Sequence, residues 1–441
     1  MLIGSVCYAA APALLLAGFH YRKKLGRAAP LGLAAIFAVA ALIELLLMAR
    51  NLYWQMAKPP EWNFLAFWVW AQAGAAGLDF YRAESFTHIM LPYPPSAEFR
   101  DEIMRVGMFY PPITMLLLAP LGWVDMFWGY LLWHGLQFLA MAASVVLLWR
   151  LFLRSERWEG LALTLALATF YLPTRLTFSS NQTNFLSLLA FLAFWMYRNS
   201  IKGGAALALG MMVKPYFAAL LLFPVLKRHF RAATGFLAVM LLLCGMVLVG
   251  YGQRPFLSYL SEKPQSKFPA WVFSENVNQS LSAFFLREHA LPLFASPIST
   301  FPYLLGCLVL GGLTAWAVAR APRDDSDWAL CLTLVFTLIA YPGSLTSYGV
   351  MALPGVFLIW SRRDRIPGKQ WTALAVITAV YAFAQAHVTL AGHVTLWLAL
   401  LWMAPGLPWS RRPLAPDGSF LGGDELSFIP PGGAGPEIRG S

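Results

Sequence analysis

The sequence predicts an all-α protein that crosses a membrane many times. The chain is 59% hydrophobic, only 12% of its 441 residues are charged, and long apolar runs recur along its whole length. A soluble domain typically carries about 25% charged residues, and an apolar run of about 20 residues can cross the hydrocarbon core. This composition excludes a soluble enzyme held to the membrane by a single anchor.

Short loops rich in Lys and Arg set the predicted orientation, because such loops stay on the cytoplasmic side. Between them lie two long segments, residues 51–109 and 252–300, which are rich in proline and aromatic residues and carry both charge signs. We interpret both as external loops. The N-terminus is then outside, the C-terminus is inside, and about eleven transmembrane helices follow. The predicted spans are 2–19, 30–49, 127–149, 160–178, 183–198, 232–250, 302–319, 327–341, 346–360, 371–388 and 393–409.

Residues 1–412 therefore form one transmembrane domain, and residues 413–441 form a separate C-terminal tail. The tail is rich in Gly and Pro and poor in apolar residues, which predicts disorder on the cytoplasmic side. The expected location is the cytoplasmic, or inner, membrane.

Residues 203–226 break the alternation of sides, because basic loops flank this stretch at both ends. Lys214-Pro215 lies at its middle, and proline both removes a helical hydrogen bond and disfavours helix at the residue before it. The pattern predicts a re-entrant or broken helix, whose two halves meet at Lys214 and return the chain to the cytoplasmic side. A simple kinked span is the alternative.

The first external loop contains an aspartate, Asp79, after a run rich in aromatic residues, "EWNFLAFWVWAQAGAAG". That run is predicted to lie in the membrane interface as an amphipathic helix, where Trp and Tyr are enriched. A second interfacial helix follows from "FYPPITMLLLAPLG", residues 109–122, unless this stretch is a plain junction between loop and span. Asp79 between two such helices could serve as a general base toward a hydroxyl on a lipid-attached acceptor. Otherwise it is a solvated carboxylate paired with Arg82.

Amide side chains cluster at two other external positions. Asn181, Gln182 and Asn184 lie at the mouth of a span, where amides can cap a helix or bind a sugar. Asn278 and Gln279 lie in the second external loop. A four-residue spacing predicts that Gln279 and the later Arg287 share one face of a short helix.

The order of these motifs resembles the polyprenyl-phosphate-mannose-dependent mannosyltransferases, glycosyltransferase family 87 of the GT-C superfamily. The motifs are Asp79-Phe80-Tyr81, Phe109-Tyr110-Pro111-Pro112, Pro120-Leu121, Asn181-Gln182-Thr183-Asn184, Lys214-Pro215 and Asn278-Gln279-Ser280-Leu281. One departure concerns a late span, where the family often has histidines and this chain has Tyr348.

The resemblance implies a GT-C-type fold and inverting transfer of one sugar, most often mannose, outside the cytoplasmic membrane. The donor would be a polyprenyl-phosphate-sugar, and the acceptor a lipid-linked or glycan molecule. Asp79 is then the catalytic residue. The substrate-binding candidates are Tyr81, Arg82, Tyr110, Asn181, Gln182, Asn184, Lys214, Asn278, Gln279, Arg287 and Tyr348.

A departing polyprenyl phosphate needs positive charge nearby, and arginine can supply it without a metal. The topology places several cations externally, and we expect Arg287 to contact the donor phosphate unless it pairs with Glu288 or a lipid headgroup. No carboxylate cluster suits a divalent ion, so the sequence predicts no metal and no cofactor. These external cations are Arg175, Arg254, Lys263, Lys267 and Arg287.

Two other function classes fit parts of the sequence. A transporter or flippase of lipid-linked saccharides would explain the many spans and the broken helix, but not an aspartate between two interfacial helices. A non-catalytic assembly subunit is the third reading. The net charge of +11 does not indicate a nucleic-acid partner, because the basic residues are scattered over short loops. The expected partners are the donor, the acceptor and membrane lipids.

Overall fold

The protein is built from helices of very unequal length. A computed structural model describes residues 29–56, 62–89, 107–154, 157–262, 278–287, 297–322, 326–362 and 389–403. The predictions for the spans at 2–19 and 371–388 and for the tail at 413–441 lie outside these residues.

The first half of the chain contributes seven labelled helices. They are α1 (Ala29–Met56), α2 (Trp62–Ala75), α3 (Pro112–Trp123), α4 (Met126–Leu148), α5 (Arg157–Phe170), α6 (Leu172–Ser179) and α7 (Asn184–Tyr197). A short 3-10 helix, Ala83–His88, follows α2.

The second half continues the same all-helical pattern. Its helices are α8 (Ile201–Val213), α9 (Pro215–Leu226), α10 (Phe230–Tyr251), α11 (Arg254–Glu262), α12 (Leu281–Arg287), α13 (Pro297–Arg320), α14 (Asp327–Ala340), α15 (Thr346–Ser361) and α16 (Thr389–Met403).

Among the described residues, 4 helices are long and apolar enough to cross a membrane, namely α1, α4, α10 and α13. The pair α5 and α6 adds a 5th if it counts as one span, although it bends by 57° close to Pro173. The prediction of about eleven spans is not confirmed. Several predicted spans are too short for a straight crossing: α14 has 14 residues, or about 21 Å of helix, against a core of about 30 Å.

The stretch around Lys214 forms a hairpin, as the re-entrant prediction expects. The helix α8 is only 13 residues long and ends at Lys214, whose backbone is extended (φ −148°, ψ 127°). The returning helix α9 packs directly against α8, since a Cβ on Gly210 would collide with the Phe217 ring. The alternative of a single kinked span does not describe this geometry.

Both ends of the hairpin lie on the same side, at the beginning of α10. A Cβ on Gly204 would lie 2.5 Å from the backbone nitrogen of Phe236, and one on Gly235 would lie 2.9 Å from the Cα of Ile201. Helix association in a membrane depends on such close approach, because lipid supplies no hydrophobic force between helices. Glycine at these two positions therefore allows α8 and α10 to pack.

The basic loops predicted to be cytoplasmic meet near this end of α10. Arg198 and Arg362 both pair with Asp327, at 3.0 Å and 3.2 Å. Lys227, at the end of the hairpin, donates a hydrogen bond to the carbonyl of Ala321. These contacts tie together the ends of five helices: α7, α9, α13, α14 and α15.

The first predicted external loop meets the other end of α10. Tyr251, the last residue of α10, packs edge to face on Phe80, with 5.8 Å between ring centroids. The 22 residues of α10 span about 33 Å. Asp79 and the cluster around Asp327 are therefore separated by roughly the thickness of a bilayer core.

The helix α2 corrects the prediction of an amphipathic interfacial helix. Every residue from Phe64 to Ala71 is buried, including the two tryptophans. It packs against α3, where a Cβ on Gly122 would lie 2.6 Å from the carbonyl oxygen of Ala71. A helix that is apolar on all sides is a core helix, and α2 forms the centre of a second hydrophobic core beside the main helical bundle.

Candidate active site

Asp79 is a buried carboxylate held in one orientation by two hydrogen bonds. Its side chain is only 2% exposed. Oδ1 accepts from the backbone N–H of Tyr81 at 3.1 Å, as is typical of an Asx turn. Oδ2 accepts from the Ser258 hydroxyl on α11 at 2.6 Å. Asp79 is therefore not solvated, as the alternative reading expected, although the pairing with Arg82 that this reading included is present.

Two arginines lie over the outer side of Asp79. Arg82 Nε is 3.5 Å and Arg254 Nε is 3.4 Å from Oδ2, and the two arginine side chains are 52% and 65% exposed. Both arginines therefore connect the buried carboxylate to the surface. In both pairs the contact is made through Nε, so the terminal nitrogens of each guanidinium remain available to a second anion.

Tyr81 joins Asp79 to the next layer of the site. Its hydroxyl donates to the carbonyl of Tyr110 at 2.7 Å, and burial raises the pKa of this phenol well above its usual range, so it remains a donor. Gly107 permits this arrangement. It has a positive φ of 77°, and a Cβ there would lie 2.5 Å from the carbonyl oxygen of Tyr81.

Lys214, at the tip of the hairpin, lies at the centre of that second layer. It is completely buried, and Nζ donates to the Tyr110 hydroxyl at 3.2 Å, to Gln182 Oε1 at 2.9 Å and to the Tyr348 hydroxyl at 2.5 Å. An ammonium group has three N–H donors, so all are used. These three partners are neutral, so among the described residues no printed contact pairs Lys214 with an acidic side chain.

Tyr348 is fixed against Lys214 by its aromatic neighbours. Its ring stacks on Tyr341 at 6.2 Å and 15° and contacts Tyr216 at 5.9 Å. Nζ of Lys214 is 4.1 Å from the centroid of the Tyr348 ring, which adds a cation–π contact. This tyrosine, at the position where the resembling family often has a histidine, thus contacts the buried cation directly.

The amide side chains at the mouth of α7 make different internal contacts. Gln182 contacts Lys214, whereas Asn184 donates to the Thr177 hydroxyl at 3.0 Å and thereby connects α7 to α6. Asn181 has a left-handed backbone (φ 54°), and its carbonyl accepts from Trp133 Nε1 at 3.1 Å. The turn therefore positions Gln182, and Asn184 stabilises the turn.

Asn278 and Gln279 lie behind Tyr348 and hold its backbone in place. Asn278 forms an antiparallel bridge with Leu345 and donates to the carbonyl of Pro342 at 2.8 Å. The N–H of Gln279 donates to Ser344 at 2.7 Å. Gln279 lies before α12, which begins at Leu281, so the prediction that it shares a helical face with Arg287 is wrong. The side chain of Arg287 lies outside the described part of the chain.

The structure brings most predicted residues into two connected clusters. The outer cluster holds Asp79, Tyr81, Arg82, Arg254 and Ser258, and the inner cluster holds Tyr110, Gln182, Lys214 and Tyr348.

Within the described residues no group of three His, Cys, Asp or Glu side chains could hold a metal ion.

Comparison with known proteins assigns the chain to a family. Residues 109–342, just over half of the chain, match the family described as glycosyltransferase family 87. The chain belongs to glycosyltransferase family 87. The matched residues include Lys214 and the motifs around Tyr110 and Gln182, whereas Asp79 precedes them and Tyr348 follows them.

One curated relative of this family 87 chain is an alpha-(1->3)-arabinofuranosyltransferase from Corynebacterium glutamicum. It is 34% identical over 171 residues, which cover 37% of this chain and 40% of the relative. The match thus spans less than half of either protein. No solved structure matches the chain.

Sequence reasoning missed Ser258 altogether and proposed Arg254 only as one of several external cations. Both lie on α11, within a segment interpreted as an irregular external loop. A signal was present, because Arg254 and Ser258 are four residues apart and so share one face of any helix formed there. Nothing in the sequence indicated that this face meets Asp79, 179 residues earlier than Ser258.

Proposed function

We propose that this family 87 protein transfers a sugar from a polyprenyl-phosphate donor to a hydroxyl of a lipid-linked or glycan acceptor. The observation that carries the proposal is the buried, oriented Asp79 beneath two exposed arginines. A carboxylate with fixed oxygens suits proton abstraction, and an arginine pair suits a phosphate leaving group.

In the proposed reaction the acceptor oxygen forms a bond to the anomeric carbon as the bond from that carbon to the phosphate oxygen breaks. The acceptor proton moves to Oδ2 of Asp79, and the electron pair of the broken bond remains on the polyprenyl phosphate. Attack opposite the leaving group inverts the anomeric configuration. No metal or cofactor takes part in this scheme.

Arg82 and Arg254 have two tasks in this scheme. Both guanidinium groups pair with Asp79 through Nε. A bound phosphate would engage their terminal nitrogens, and the hydrogen bond from Ser258 would keep Oδ2 in position. The two arginines would then contact the phosphate through their terminal nitrogens and the carboxylate of Asp79 through Nε.

Lys214 supplies positive charge from beneath the site. A buried cation with neutral hydrogen-bond partners is costly, and an anion nearby offsets part of that cost. We assign Lys214 and Tyr348 to the binding and stabilisation of the charged part of the donor. Tyr110 and Gln182 hold the ammonium group in place.

The sugar is mannose if the family resemblance decides it and arabinofuranose if the named activity of the relative applies. Both donors should therefore be compared. Purified protein would be incubated with radiolabelled polyprenyl-phosphate-mannose or polyprenyl-phosphate-arabinofuranose and a membrane-lipid acceptor extract. We expect labelled product and free polyprenyl phosphate from one donor.

Asp79→Asn provides the decisive variant for this assay. It retains size and one acceptor oxygen, so the fold should survive, and transfer should fall by about 10²–10⁴-fold because a positioned general base is lost. Full transfer by Asp79→Asn would refute the assignment. Movement of an intact lipid-linked saccharide across vesicles, without release of polyprenyl phosphate, would favour a transporter.

We further propose that the site faces the external or periplasmic side of the cytoplasmic membrane. The support is the separation of Asp79 from the basic cluster around Asp327 along α10. Single cysteines would be placed at Gln253 and Lys202 in a chain without its native cysteines. An impermeant thiol reagent should label the first in intact cells and leave the second unlabelled. The opposite pattern would reverse the orientation.

A further inference from the structure

The helix α11 exposes a small apolar surface in addition to the side that contacts Asp79. Two of its nine residues, Leu257 and Leu260, are 59% and 69% exposed. Single exposed leucines are common on protein surfaces and need no explanation by themselves. Here the arrangement of the whole helix and its place in the fold indicate what covers them.

The apolar surface of α11 lies nearly opposite its buried side. Pro255 and Ser258 are buried against the protein, and Ser258 donates to Asp79. Successive residues of an α-helix are rotated by about 100°, so the direction midway between Leu257 and Leu260 is about 160° from that between Pro255 and Ser258. The two leucines therefore point away from the protein core.

A third face of α11 is polar and exposed. Arg254 and Ser261 are both exposed and lie about 20° apart around the helix axis, between the buried face and the apolar face. The helix thus presents one face to protein, one apolar face and one polar face to its surroundings. This division is typical of a helix that lies in the plane of a membrane–water interface.

The position of α11 along the chain places it close to a membrane surface. α10 is long enough to cross a membrane and ends at Tyr251, where Gly252, with a positive φ of 73°, terminates it. The chain from Tyr251 to Arg254 extends at most about 11 Å. Val249, in the last turn of α10, is 92% exposed, so apolar surface that would meet lipid continues almost to the beginning of α11.

Exposed aromatic side chains mark the same end of the bundle. Trp123, Phe127 and Trp128, at the junction of α3 and α4, are 78%, 51% and 58% exposed. Tyr130, in the next turn of α4, belongs to the hydrophobic core that also contains Phe80. Tryptophan is enriched at membrane–water interfaces, so this set indicates that the interface passes the Asp79 end of the bundle.

We propose that α11 lies in the membrane–water interface and that Leu257 and Leu260 enter the hydrocarbon of the surrounding bilayer. The bilayer thereby holds α11 in place, with Ser258 against Asp79. The interfacial position that the sequence predicted for α2 is thus occupied by α11. The placement of α11 does not depend on the transfer reaction, whereas its effect on the rate rests on the proposed function.

Electron paramagnetic resonance of the full-length chain in phospholipid nanodiscs tests the placement. A nitroxide would be attached to a single introduced cysteine, Leu257→Cys, Leu260→Cys or Ser261→Cys, in a chain without its native cysteines. Oxygen concentrates in hydrocarbon and a nickel chelate in water, so their relative effects on the label report its depth. We expect the labels at both leucines about 5–10 Å into the boundary between headgroups and acyl chains, and the label at Ser261 in water. Leu241, 74% exposed near the middle of α10, provides the hydrocarbon reference.

Two results would overturn the placement. If the nickel chelate reaches the label at either leucine as readily as that at Ser261, the leucines face water. If neither reagent reaches these labels, another segment of the chain or a second copy covers them. Benzoylphenylalanine introduced at Leu260 of the chain with its native cysteines gives an independent measurement. Illumination should attach a phospholipid to it, and attachment to protein alone would contradict the proposal.

Sugar transfer in the same nanodiscs tests the consequence for Asp79. The pair Leu257→Ser and Leu260→Ser removes the apolar face, and kcat/KM should fall by about tenfold or more if the hydrogen bond from Ser258 to the carboxylate is weakened. The pair Leu257→Ile and Leu260→Ile keeps an apolar face and should retain the rate.

A second background separates the effect on Asp79 from general damage. In a Ser258→Ala chain the two serine substitutions should have little further effect, because the bond that they weaken is already absent. An equal loss in both backgrounds would show that the leucines do not act through Ser258. Absence of transfer by the wild-type chain would refute the proposed function and leave the depth measurement unaffected.

Discussion

Ser258 is the residue whose replacement tests the site most directly. Its hydroxyl donates to Oδ2 of Asp79 at 2.6 Å, and the side chain is buried on α11. Ser258→Ala removes this bond and little else. A hydrogen bond to a charged group contributes about 1.5–3 kcal/mol, and each 1.36 kcal/mol of barrier is tenfold in rate. If the bond positions the base, kcat/KM should fall by about 10- to 100-fold.

The assay is sugar transfer with Ser261→Ala as the matched control. Ser261 lies on the same helix, and among the described residues its hydroxyl donates to the carbonyl of Ser258 at 3.3 Å and not to Asp79, so its loss should leave the rate unchanged. Ser258→Thr retains a hydroxyl and should restore most of the activity.

A double-mutant cycle separates positioning from general destabilisation. Ser258→Ala should have almost no further effect on residual transfer in an Asp79→Asn background, because the base that it positions is already absent. An equally large loss in both backgrounds would refute the positioning role. A loss by Ser261→Ala as large as that by Ser258→Ala would point to damage of α11.

Three further predictions concern other parts of the site and fold. Lys214→Met fills the space of the buried ammonium group without its charge, and transfer should fall by about 10²–10³-fold while the thermal midpoint, measured on the same sample, stays close to wild type. Unchanged kcat would remove Lys214 from the mechanism. Arg254→Lys should raise KM for the donor and Arg254→Gln should raise it further, because lysine keeps charge but loses the planar fork. Gly204→Val should cost about 1–3 kcal/mol of stability through the clash with α10. Gly245→Val should be nearly neutral, because nothing lies within 4 Å of a Cβ at that position. Equal thermal midpoints for the two variants would show that α8 and α10 are not in tight contact.

The inner cluster shows how far motif order alone can predict a site. Tyr110, Gln182, Lys214 and Tyr348 are spread over more than half of the chain, and the structure joins them through one ammonium group. Lys214 could be predicted because a charge beside a proline inside an apolar run has few physical explanations. Asn278 and Gln279 were expected to bind substrate, but their backbone pairing with residues 342–345 is a long-range contact that no local pattern encodes.

The error over α2 has a physical cause that the sequence contained. We interpreted its tryptophans as interfacial anchors, although its core from Phe64 to Ala71 has no polar side chain to form a wet face. Such a helix does not suit a membrane–water interface, and in the structure α3 covers it. The predicted span at 327–341 corresponds to α14, which has only 14 residues, because hydropathy does not distinguish a full crossing from a shorter buried helix.

Because Lys214 lies at the tip of a hairpin, the geometry of the site depends on the length of α8. The 13 residues of α8 set the distance of Lys214 from the end of α10 near Phe230. Asp79 lies at the opposite end of α10, where the neighbouring Phe80 packs on Tyr251. One residue inserted into α8 would move the tip by about 1.5 Å and rotate it by about 100°. Lys214 and Asp79 are thus positioned from opposite ends of the helical bundle. Their alignment depends on a fixed distance between those two ends. A bilayer that is too thick or too thin would act on this alignment without touching a single catalytic side chain.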